Sequence, residues 1–350
     1  MVLDIAFQRN IMIGKQKSKS EQAKLLAEAL PDGIALLDKK NCFIWWNEVA
    51  ERLLSIDDSC RGHSICTIVS PNEFHRLRLG ETLELSAPKN DNVHLSIHIR
   101  SYFDQRSILI VQDITHTYHL EKMRQDFIAN VSHELRTPLT VFHGYLELLL
   151  DQPDLDKKKA SKILKQMSEQ NVRMQNLVSD LLLLSRLEAD EPDIKKHQPV
   201  NVAHMIRVIC EDAKTVSGER QHLFLINIDE SLQIEGEKDE LRSAFSNIVV
   251  NAVRYTPAGG KITVRWYEDA NGAHFEVNDT GIGIAEKHID RITQRFYRVD
   301  KARSREQGGT GLGLAIVKHV LLRHHGELVI QSKLNEGSVF RCSFPRAILL

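Results

Sequence analysis

Apolar residues recur at steps of three and four over residues 127–149, which is the spacing of one face of an α-helix. Residues 157–188 carry a second stripe of this kind, and the polar segment DQPDLDKKK separates the two. The pattern predicts two long helices that form an antiparallel hairpin. The first stripe comprises Phe127, Val131, Leu135, Pro138, Phe142, Tyr145 and Leu149, and the second comprises Ile163, Met167, Val172, Leu177, Leu181, Leu184 and Leu187.

A hairpin with two apolar stripes cannot bury both of them by itself. Two copies can bury both as a four-helix bundle, so the chain is predicted to be a homodimer. The segment QDITHTYHLEKMRQDF runs into the first stripe without a Pro or a Gly. The first helix is therefore predicted to begin well upstream and to transmit rotation or strain to the hairpin.

His133 lies on the first helix but away from its apolar stripe. At about 100° per residue it stands roughly 200° around the axis from Val131, so it is predicted to face solvent. Glu134 is adjacent and can orient the ring and take its proton, which turns a neutral imidazole into a nucleophile. Thr137 adds a hydroxyl one turn away, and Pro138 predicts a bend because it removes a helical hydrogen bond. A solvated histidine on a bent helix is the simpler interpretation of the same residues.

Upstream of the hairpin, shorter elements predict a small α+β domain of about a hundred residues. Residues 33–37 and 42–46 are predicted strands, and Asn47 is predicted to cap the helix that follows. The segments HLSIHIRSYF and SILIVQDIT alternate as two further strands. A charged helix is predicted over 15–30, before the first strand.

The segment DELRSAFSNIVVNAVRYTPAGG predicts a helix whose polar flank suits a nucleotide. Its buried face would hold Leu241, Phe245, Ile248 and Ala252. Asn247, Asn251 and Arg254 follow one another at i, i+4 and i+7 along one flank. Amide oxygens can ligate Mg²⁺, and a guanidinium suits phosphate. Two asparagines on a helix are more often ordinary surface residues.

In HFEVNDTGIGI, Phe275, Val277 and Asp279 share one face of a predicted strand, so the carboxylate continues an apolar face. A buried carboxylate needs a hydrogen-bond donor, and an adenine amino group can supply one. Gly281 and Gly283 would let the backbone approach a flat ring closely. An ordinary glycine-rich turn is the alternative.

The segment FYRVDKARSREQGGTGLGLAIVKHV predicts a charged loop that leads into a helix. Bare N–H groups at a helix N-terminus form an anion site, although the spacing matches neither a Walker A loop nor a Rossmann turn. Residues 300–310 are predicted to close over phosphates as a lid. The glycines concerned are Gly308, Gly309, Gly311 and Gly313, and the arginines available to neutralise charge are Arg298, Arg303 and Arg305.

Each of these signals is moderate alone, but their order along the chain is specific. FIANVSHELRTPLT resembles the phospho-acceptor box of two-component sensor histidine kinases. NIVVNAVRYT, NDTGIG, RFYRVD and GGTGLGLAIVKH resemble the four boxes of their ATP-binding domain, so the likeness covers nearly all of 115–345. Residues 30–115 resemble a PAS sensor domain. TPLTVFHGYLE and FYRVDKARSR are most similar to the phosphate-regulon sensor kinases, which pair with a DNA-binding response regulator.

The resemblance implies a role for each matching residue. His133 would accept the γ-phosphoryl group of ATP with Glu134 as its base, and Thr137 would position water when the partner is dephosphorylated. Asn251 with Asn247 would carry Mg²⁺. The residues that the resemblance places around the nucleotide are Asn247, Asn251, Arg254, Tyr255, Asp279, Gly281, Gly283, Arg298, Gly309, Thr310, Gly311, Leu312 and Gly313. Arg254 stands where many relatives have lysine or histidine.

The implied fold is a multidomain α+β chain. It comprises an N-terminal segment and helix (1–29), a PAS-like sensor domain (30–115), a dimerisation and histidine phosphotransfer hairpin (116–190), and an ATP-binding α/β sandwich of the histidine kinase and Hsp90-like type (197–348). The implied activity is that of a protein-histidine kinase, a phosphotransferase with a nitrogenous acceptor, in phosphate-starvation signalling. The implied partners are the receiver-domain aspartate of a response regulator, a second copy of the chain, and a phosphate transporter with its accessory regulator.

Composition adds exclusions. The net charge of −1 with 27% charged residues gives no field for polyanions. The resemblance implies that the response regulator binds DNA and that this chain does not. The five cysteines include no C-x-x-C pair, which argues against a zinc site or a disulfide framework. No apolar run approaches the roughly 20 residues that span a bilayer. The chain is expected in the cytoplasm or at the inner face of the plasma membrane, although phosphate-type relatives usually carry hydrophobic N-terminal helices.

Two other classes of protein share part of this pattern. One comprises ATPases of the same nucleotide fold, of the chaperone, topoisomerase or mismatch-repair type, together with relatives that phosphorylate serine. The other is a non-enzymatic sensor with a dimerising hairpin and an inactive nucleotide domain. The exposed His–Glu–x–x–Thr–Pro sequence argues against the first class, and the complete set of nucleotide-site residues argues against the second.

Overall fold

The computed structural model describes residues 19–78, 80–102, 104–151, 156–189, 197–299 and 309–349. The chain divides into two compact units, one up to Asp126 and one from Phe127. Several predicted features lie outside the described residues. They are the segment 1–18, the turn that holds Pro153, the linker 190–196, and most of the proposed lid with Arg303, Arg305 and Gly308.

The first unit is built around a five-stranded antiparallel sheet in the order β2-β1-β5-β4-β3. Its strands are β1 Gly33–Leu37, β2 Phe43–Trp46, β3 Leu83–Ala87, β4 Asn90–Tyr102 and β5 Arg106–Asp113. Its helices are α1 Lys19–Glu28, α2 Glu48–Leu54 and α3 Pro71–Arg78. Asn47 caps α2 as predicted, since its side chain accepts a hydrogen bond from the Ala50 N–H. The four predicted strands and the helix after Asn47 are confirmed, and so is the described part of the charged helix. Strand β3 and helix α3 were not predicted.

The hairpin consists of α4, Thr115–Asp151, and α5, Lys157–Ala189. Helix α4 begins upstream of its stripe, as the absence of a Pro or a Gly before the stripe predicted, and its helical hydrogen bonding continues past Pro138. All seven predicted stripe positions of α4 are less exposed than their immediate neighbours, apart from the half-buried Glu134 beside Leu135. The first stripe is thereby confirmed.

The second stripe is correct at six positions and wrong at Val172, whose exposed fraction is 50%. Steps of three and four residues from Ile163 and Met167 lead to Met174 and then to Leu177. Met174 is half-buried. The pattern of hydrophobic residues alone favoured Val172, because the intervening position on the buried face is the polar Gln170.

The rest of the second unit is a sandwich of helices on one five-stranded sheet, in the order β11-β12-β10-β9-β7. Only the β7–β9 pair in this sheet is parallel. The helices are α6 Val202–Ser217, α7 Lys238–Tyr255, α8 Glu286–Ile289 and α9 Gly313–Arg323. The sheet strands are β7 Leu223–Ile228, β9 Lys261–Asp269, β10 Gly272–Asp279, β11 Glu327–Lys333 and β12 Gly337–Pro345, and β6 Gln198–Val200 pairs separately with β8 Ile234–Gly236.

The core of this sandwich fixes α7 against β10. Phe245 of α7 stacks on Phe275 of β10 with ring centroids 4.2 Å apart, and both are fully buried. The indole N–H of buried Trp266 donates to the Leu232 carbonyl at 3.1 Å, so its polar atom is satisfied. Burial of aromatic side chains contributes about 1.5–3 kcal/mol each. This packing holds the polar flank of α7 beside the end of β10, where Asp279 lies.

Among the described residues, no helix is long and apolar enough to cross a membrane.

Candidate functional site

The polar flank of α7 carries three of the predicted nucleotide residues. The Asn247 amide nitrogen donates to the Ser243 carbonyl at 3.0 Å, which fixes the orientation of the amide. Asn251 and Arg254 follow on the same flank and are half-buried, whereas Leu241, Phe245, Ile248 and Ala252 are buried on the opposite face. Burial lowers the pKa of Arg254, and the nearby cations Arg298 and Arg173 lower it further.

Asp279 ends β10 and is 5% exposed, so its carboxylate does continue the apolar face. The Gly281 N–H donates to its Oδ1 at 2.7 Å, and the Ser338 backbone also donates to it. Burial nevertheless raises the pKa of Asp279 to about 6, against the two backbone hydrogen bonds that lower it. A carboxylate with four acceptor sites retains the capacity to accept from a ligand.

The loop that follows Asp279 is held from two sides. The Ile282 N–H donates to the Tyr255 carbonyl at 3.3 Å, and a Cβ at Gly281 would come within 2.7 Å of that same oxygen. Gly283 has φ +65°, where an L side chain is strained. The glycines at these two positions are therefore required by the path of the backbone, and they bring it close to Tyr255.

The glycine-rich run leads into α9, which begins at Gly313. A Cβ at Gly313 would overlap the Oδ1 atom of Asn247, so the start of α9 lies directly against the flank of α7. Gly311 has φ +74° and its carbonyl accepts from the Phe296 N–H at 2.8 Å. Leu312 is fully buried, and its N–H lies 3.2 Å from the Thr310 hydroxyl that accepts from it. The N-terminus of α9 thereby joins the asparagine flank.

On the hairpin, His133 is exposed, as its angle from the apolar stripe predicted. Thr137 is also exposed, and its hydroxyl donates to the His133 carbonyl at 3.2 Å. Pro138 is buried within the helix. The structure therefore places an imidazole and a hydroxyl one turn apart on the outer side of α4.

Glu134 does not share this exposure. Its Oε2 lies 3.2 Å from a terminal nitrogen of Arg298 and 3.5 Å from one of Arg173, on α5. Arg298 also donates to the Gly309 carbonyl, and its side chain is only 7% exposed. The carboxylate beside His133 is thus joined by an arginine to the glycine-rich run.

A second carboxylate of the hairpin reaches the same run. The Thr310 hydroxyl donates to Oδ2 of Asp180, on α5, at 3.0 Å. Burial raises the pKa of Asp180, against the opposing effects of the Thr310 hydrogen bond and of nearby Arg254. The hairpin and the sandwich therefore meet through half-buried charges, in addition to the contact between the rings of Phe127 and Phe296, whose centroids lie 5.8 Å apart.

Two family models match this arrangement. The His Kinase A (phospho-acceptor) domain matches residues 123–190, and the Histidine kinase-, DNA gyrase B-, and HSP90-like ATPase matches residues 236–348. The phosphate regulon sensor protein PhoR of Pseudomonas aeruginosa is 44% identical over 340 residues, which cover 95% of this chain and 76% of that protein. The chain belongs to the phosphate regulon sensor histidine kinases.

The PhoR protein of Haemophilus influenzae is 32% identical over 344 residues, which cover 95% of this kinase and 80% of that protein. Among solved structures, full-length ShkA in complex with AMPPNP is 26% identical, with a TM-score of 0.48, over 63% of this kinase and 45% of ShkA. The two family models and the two PhoR relatives show that the protein is a protein-histidine kinase of phosphate regulon signalling. Its ATPase domain implies the use of ATP.

The structure gathers the predicted nucleotide residues of the kinase around α7, the Asp279 loop and the start of α9. It also brings Glu134 to Arg298, a residue predicted to neutralise nucleotide charge. Arg298 contacts the Glu134 carboxylate and donates to the Gly309 carbonyl. His133 and Thr137 remain on the exposed side of α4.

Sequence reasoning missed Arg173 and Asp180. Both lie on α5, seven residues apart, next to its buried stripe, and both are half-buried. Charged residues at the edge of an apolar stripe are the signal that could have identified them, because such positions border a partner surface. A third contact, from Glu188 to Arg295 and to His319 at 3.3 Å, was also missed.

The raised pKa of Asp279 predicts a pH dependence of stability for the nucleotide-free kinase. An acid with a raised folded-state pKa stabilises the fold below its unfolded pKa of 3.8, and this contribution is lost as pH rises through about 6. Relative to Asp279→Asn, the wild type should lose unfolding free energy between about pH 4 and pH 7, by at most about 3 kcal/mol. Urea unfolding of both proteins across this range measures the difference, and a constant difference would contradict the prediction.

Proposed function

We propose that His133 is the phosphoryl acceptor of this kinase and that Glu134 is its base. An imidazole nitrogen attacks the γ-phosphorus of ATP, the bond to the bridging oxygen breaks, and ADP leaves with the electron pair. As the new bond forms, the second ring nitrogen gives up its proton to Glu134, so the phosphorylated ring is left neutral. The single observation that carries this proposal is the exposed His133 on a helix whose other face is its packing stripe.

We propose that the nucleotide binds between α7, the Asp279 loop and the start of α9. Asp279 would accept from the adenine amine, Tyr255 would lie against the nucleotide, and the backbone of Gly281 and Gly283 would approach the ring. Arg254 and Arg298 would contact phosphates. The residues proposed to line the site at the start of α9 are Gly309, Thr310, Gly311, Leu312 and Gly313, whose N–H groups suit an anion.

The same flank fits Mg²⁺. With the Asn247 nitrogen bonded to the Ser243 carbonyl, its amide oxygen is directed to the start of α9, and Asn251 lies one turn along. Mg²⁺ prefers such oxygen ligands together with phosphate oxygens, and it would supply charge neutralisation when bound. Within the described ranges, no cluster of three or more His, Cys, Asp or Glu side chains offers another metal site.

We further propose that the phosphoryl group passes from His133 to the receiver aspartate of a response regulator, and that the kinase also dephosphorylates it. The N-terminal segment (1–29), a PAS-like sensor (30–115), the hairpin (116–190) and the ATP-binding sandwich (197–348) are the proposed domains. The hairpin is proposed to form a homodimer, because exposed leucines and isoleucines remain on it after its own stripe is buried. The proposed source of the signal is a phosphate transporter with its accessory regulator. The proposed location of the kinase is the inner face of the plasma membrane.

Incubation of the full chain with γ-labelled ATP and Mg²⁺ tests the proposed chemistry. The expected product carries a label that survives alkali and is lost in acid, as a phosphorus–nitrogen bond requires. A label that survives acid and is lost in alkali would be a hydroxyl ester, and it would contradict histidine as the acceptor. Binding of ATP without any label would contradict the kinase assignment of the site.

Replacement of Thr137 by alanine should separate the two proposed activities. The hydroxyl would position water for dephosphorylation of the regulator but has no part in the attack by His133. We expect the decay of the phosphorylated regulator to slow roughly 10- to 100-fold while autophosphorylation is retained. Thr140→Ala is the matched control, because its hydroxyl makes the same bond, to the Arg136 carbonyl at 3.0 Å, on the same helix. Equal loss of both activities in Thr137→Ala would refute this role.

A further inference from the structure

Three strands of the sandwich sheet place a carboxylate and two hydroxyls in one row. Asp279 of β10 lies opposite Ser338 of β12, and Ser338 lies opposite Ser332 of β11. Residues directly opposite each other on neighbouring strands point to the same face of a sheet. The side chains of Ser332 and Ser338 therefore lie on the face that carries the Asp279 carboxylate, the group proposed to accept from the adenine amine.

The Ser332 hydroxyl makes three hydrogen bonds. It accepts from the Ile284 N–H at 2.8 Å and donates to the Gly337 carbonyl at 3.0 Å. The third bond joins it to the Ser338 hydroxyl at 2.8 Å. A hydroxyl has one proton to donate and two lone pairs that accept, so its whole capacity is used. Ser332 thereby joins the loop after Asp279 to strand β12.

These bonds fix the direction of the hydrogen bond between the two serines. Because Ser332 donates its proton to the Gly337 carbonyl, Ser338 donates its own proton to Ser332. The Ser338 oxygen then has only lone pairs left beside Asp279. The Asp279 carboxylate is itself an acceptor, bonded by the Gly281 N–H at 2.7 Å. At a pH above the Asp279 pKa of about 6, this end of the row offers acceptors and no hydroxyl proton.

We propose that Ser332 is a specificity-determining positioning residue of the nucleotide site, which holds Ser338 as an acceptor and so favours a base that carries an amino group. The inference rests on the proposed contact of Asp279 with the adenine amine. A ring carbonyl at the same place, as in guanine, would face acceptors on the protein and gain no hydrogen bond. A Ser338 proton that was free to turn could bond to such a carbonyl, and the Ser332 hydroxyl prevents this.

Binding of ATP and of GTP to full-length Ser332→Ala tests the proposal, in a His133→Gln background that prevents transfer. Titration at about pH 8 keeps Asp279 ionised. Without the Ser332 hydroxyl the Ser338 proton can turn toward the base, and we expect the preference for ATP over GTP to fall roughly three- to tenfold. Adenosine and guanosine, which have no phosphates, should show the same fall, because the contact is with the base.

Matched variants separate this role from a general loss of stability. Ser332→Thr keeps the hydroxyl and should restore the preference. Ser343→Ala removes another hydroxyl of the same sheet, one bonded to Nδ1 of His274 at 3.0 Å, and should leave the preference unchanged. Circular dichroism confirms that each variant is folded. An unchanged preference in Ser332→Ala would overturn the proposal, and so would an equal fall in Ser343→Ala.

Two further variants distinguish the inference from the site on which it rests. Ser338→Ala, which removes the acceptor itself, should also lower the preference for ATP, and an unchanged preference would contradict the proposal. If Asp279→Asn binds ATP as tightly as the background protein, the adenine contact is wrong and the inference is overturned with it. If Asp279→Asn binds ATP more weakly while Ser332→Ala keeps the full preference, the adenine contact stands and only the role of Ser332 is refuted.

Discussion

The His133→Gln protein is expected to take no label from γ-labelled ATP above background while it binds ATP as tightly as the wild type. Glutamine has a similar length and polarity but no ring nitrogen that can form a phosphorus–nitrogen bond. His133 is exposed on α4, so the change removes no buried packing. A complete loss of labelling would therefore report chemistry and not unfolding.

His143→Gln is the matched control for this prediction. His143 is also exposed on α4, and its Nε2 lies 3.3 Å from the carboxylate of Glu147, so it too is a histidine beside an acid. We expect this variant to be labelled like the wild type. If labelling survives in His133→Gln and disappears in His143→Gln, the acceptor is His143 and our assignment of His133 is wrong.

Asp279→Asn is expected to weaken ATP binding roughly 100-fold or more. The carboxylate offers only acceptors, whereas the amide replaces one oxygen with a donor that would face the donor amine of adenine. The Gly281 N–H can still bond to the remaining amide oxygen, which preserves the loop. Because burial raises the pKa of Asp279 to about 6, loss of its charge does not itself destabilise the fold at neutral pH.

Isothermal titration with ATP measures this loss, with Asp290→Asn as the control. Asp290 is an exposed acid in the same sandwich, so its replacement changes the net charge equally. GTP, whose ring carries a carbonyl where adenine has the amine, provides a further test of the contact between Asp279 and the base. If Asp279→Asn binds ATP as tightly as the wild type, the carboxylate does not hold the adenine amine.

The periodic parts of this fold could be predicted from the sequence. The stripe of α4 was correct at every position, and the cap at Asn47 and four of the five strands of the first unit, all but β3, lie where the pattern placed them. These features depend on neighbours within one or two turns, so local patterns determine them. Asp279 was predictable for the same reason, since strand alternation places it on the face of Phe275 and Val277.

The wrong assignment of Val172 has a different cause. Helical geometry places Gln170 and Met174 on the buried side, but a search for apolar residues prefers the valine between them. Long side chains such as glutamine can cover apolar surface with their methylene groups, so a polar letter can stand on a packed face. When the two disagree, the helical period is therefore a better guide than residue type to which positions of a helix are buried.

The contacts of Glu134 with Arg298 and of Asp180 with Thr310 could not be predicted in this way. The partners are 164 and 130 residues apart in the chain. From the sequence alone, each of these residues would be predicted to be a solvated charge or an ordinary loop residue. Their pairing depends on how the hairpin meets the sandwich, which is a property of tertiary packing and leaves no periodic trace in the sequence.

The hairpin retains a second set of exposed apolar side chains besides its buried stripe, among them Ile128, Leu139, Leu146 and Leu150 on α4 and Leu164 and Leu182 on α5. If another copy of the chain covers them, burial of each stabilises the hairpin only in the associated state. Mass action then links the unfolding temperature of the hairpin to protein concentration, since dilution favours the species in which these side chains contact water. The unfolding temperature of the hairpin would therefore be lower in a cell with few copies of the kinase than in a cell with many.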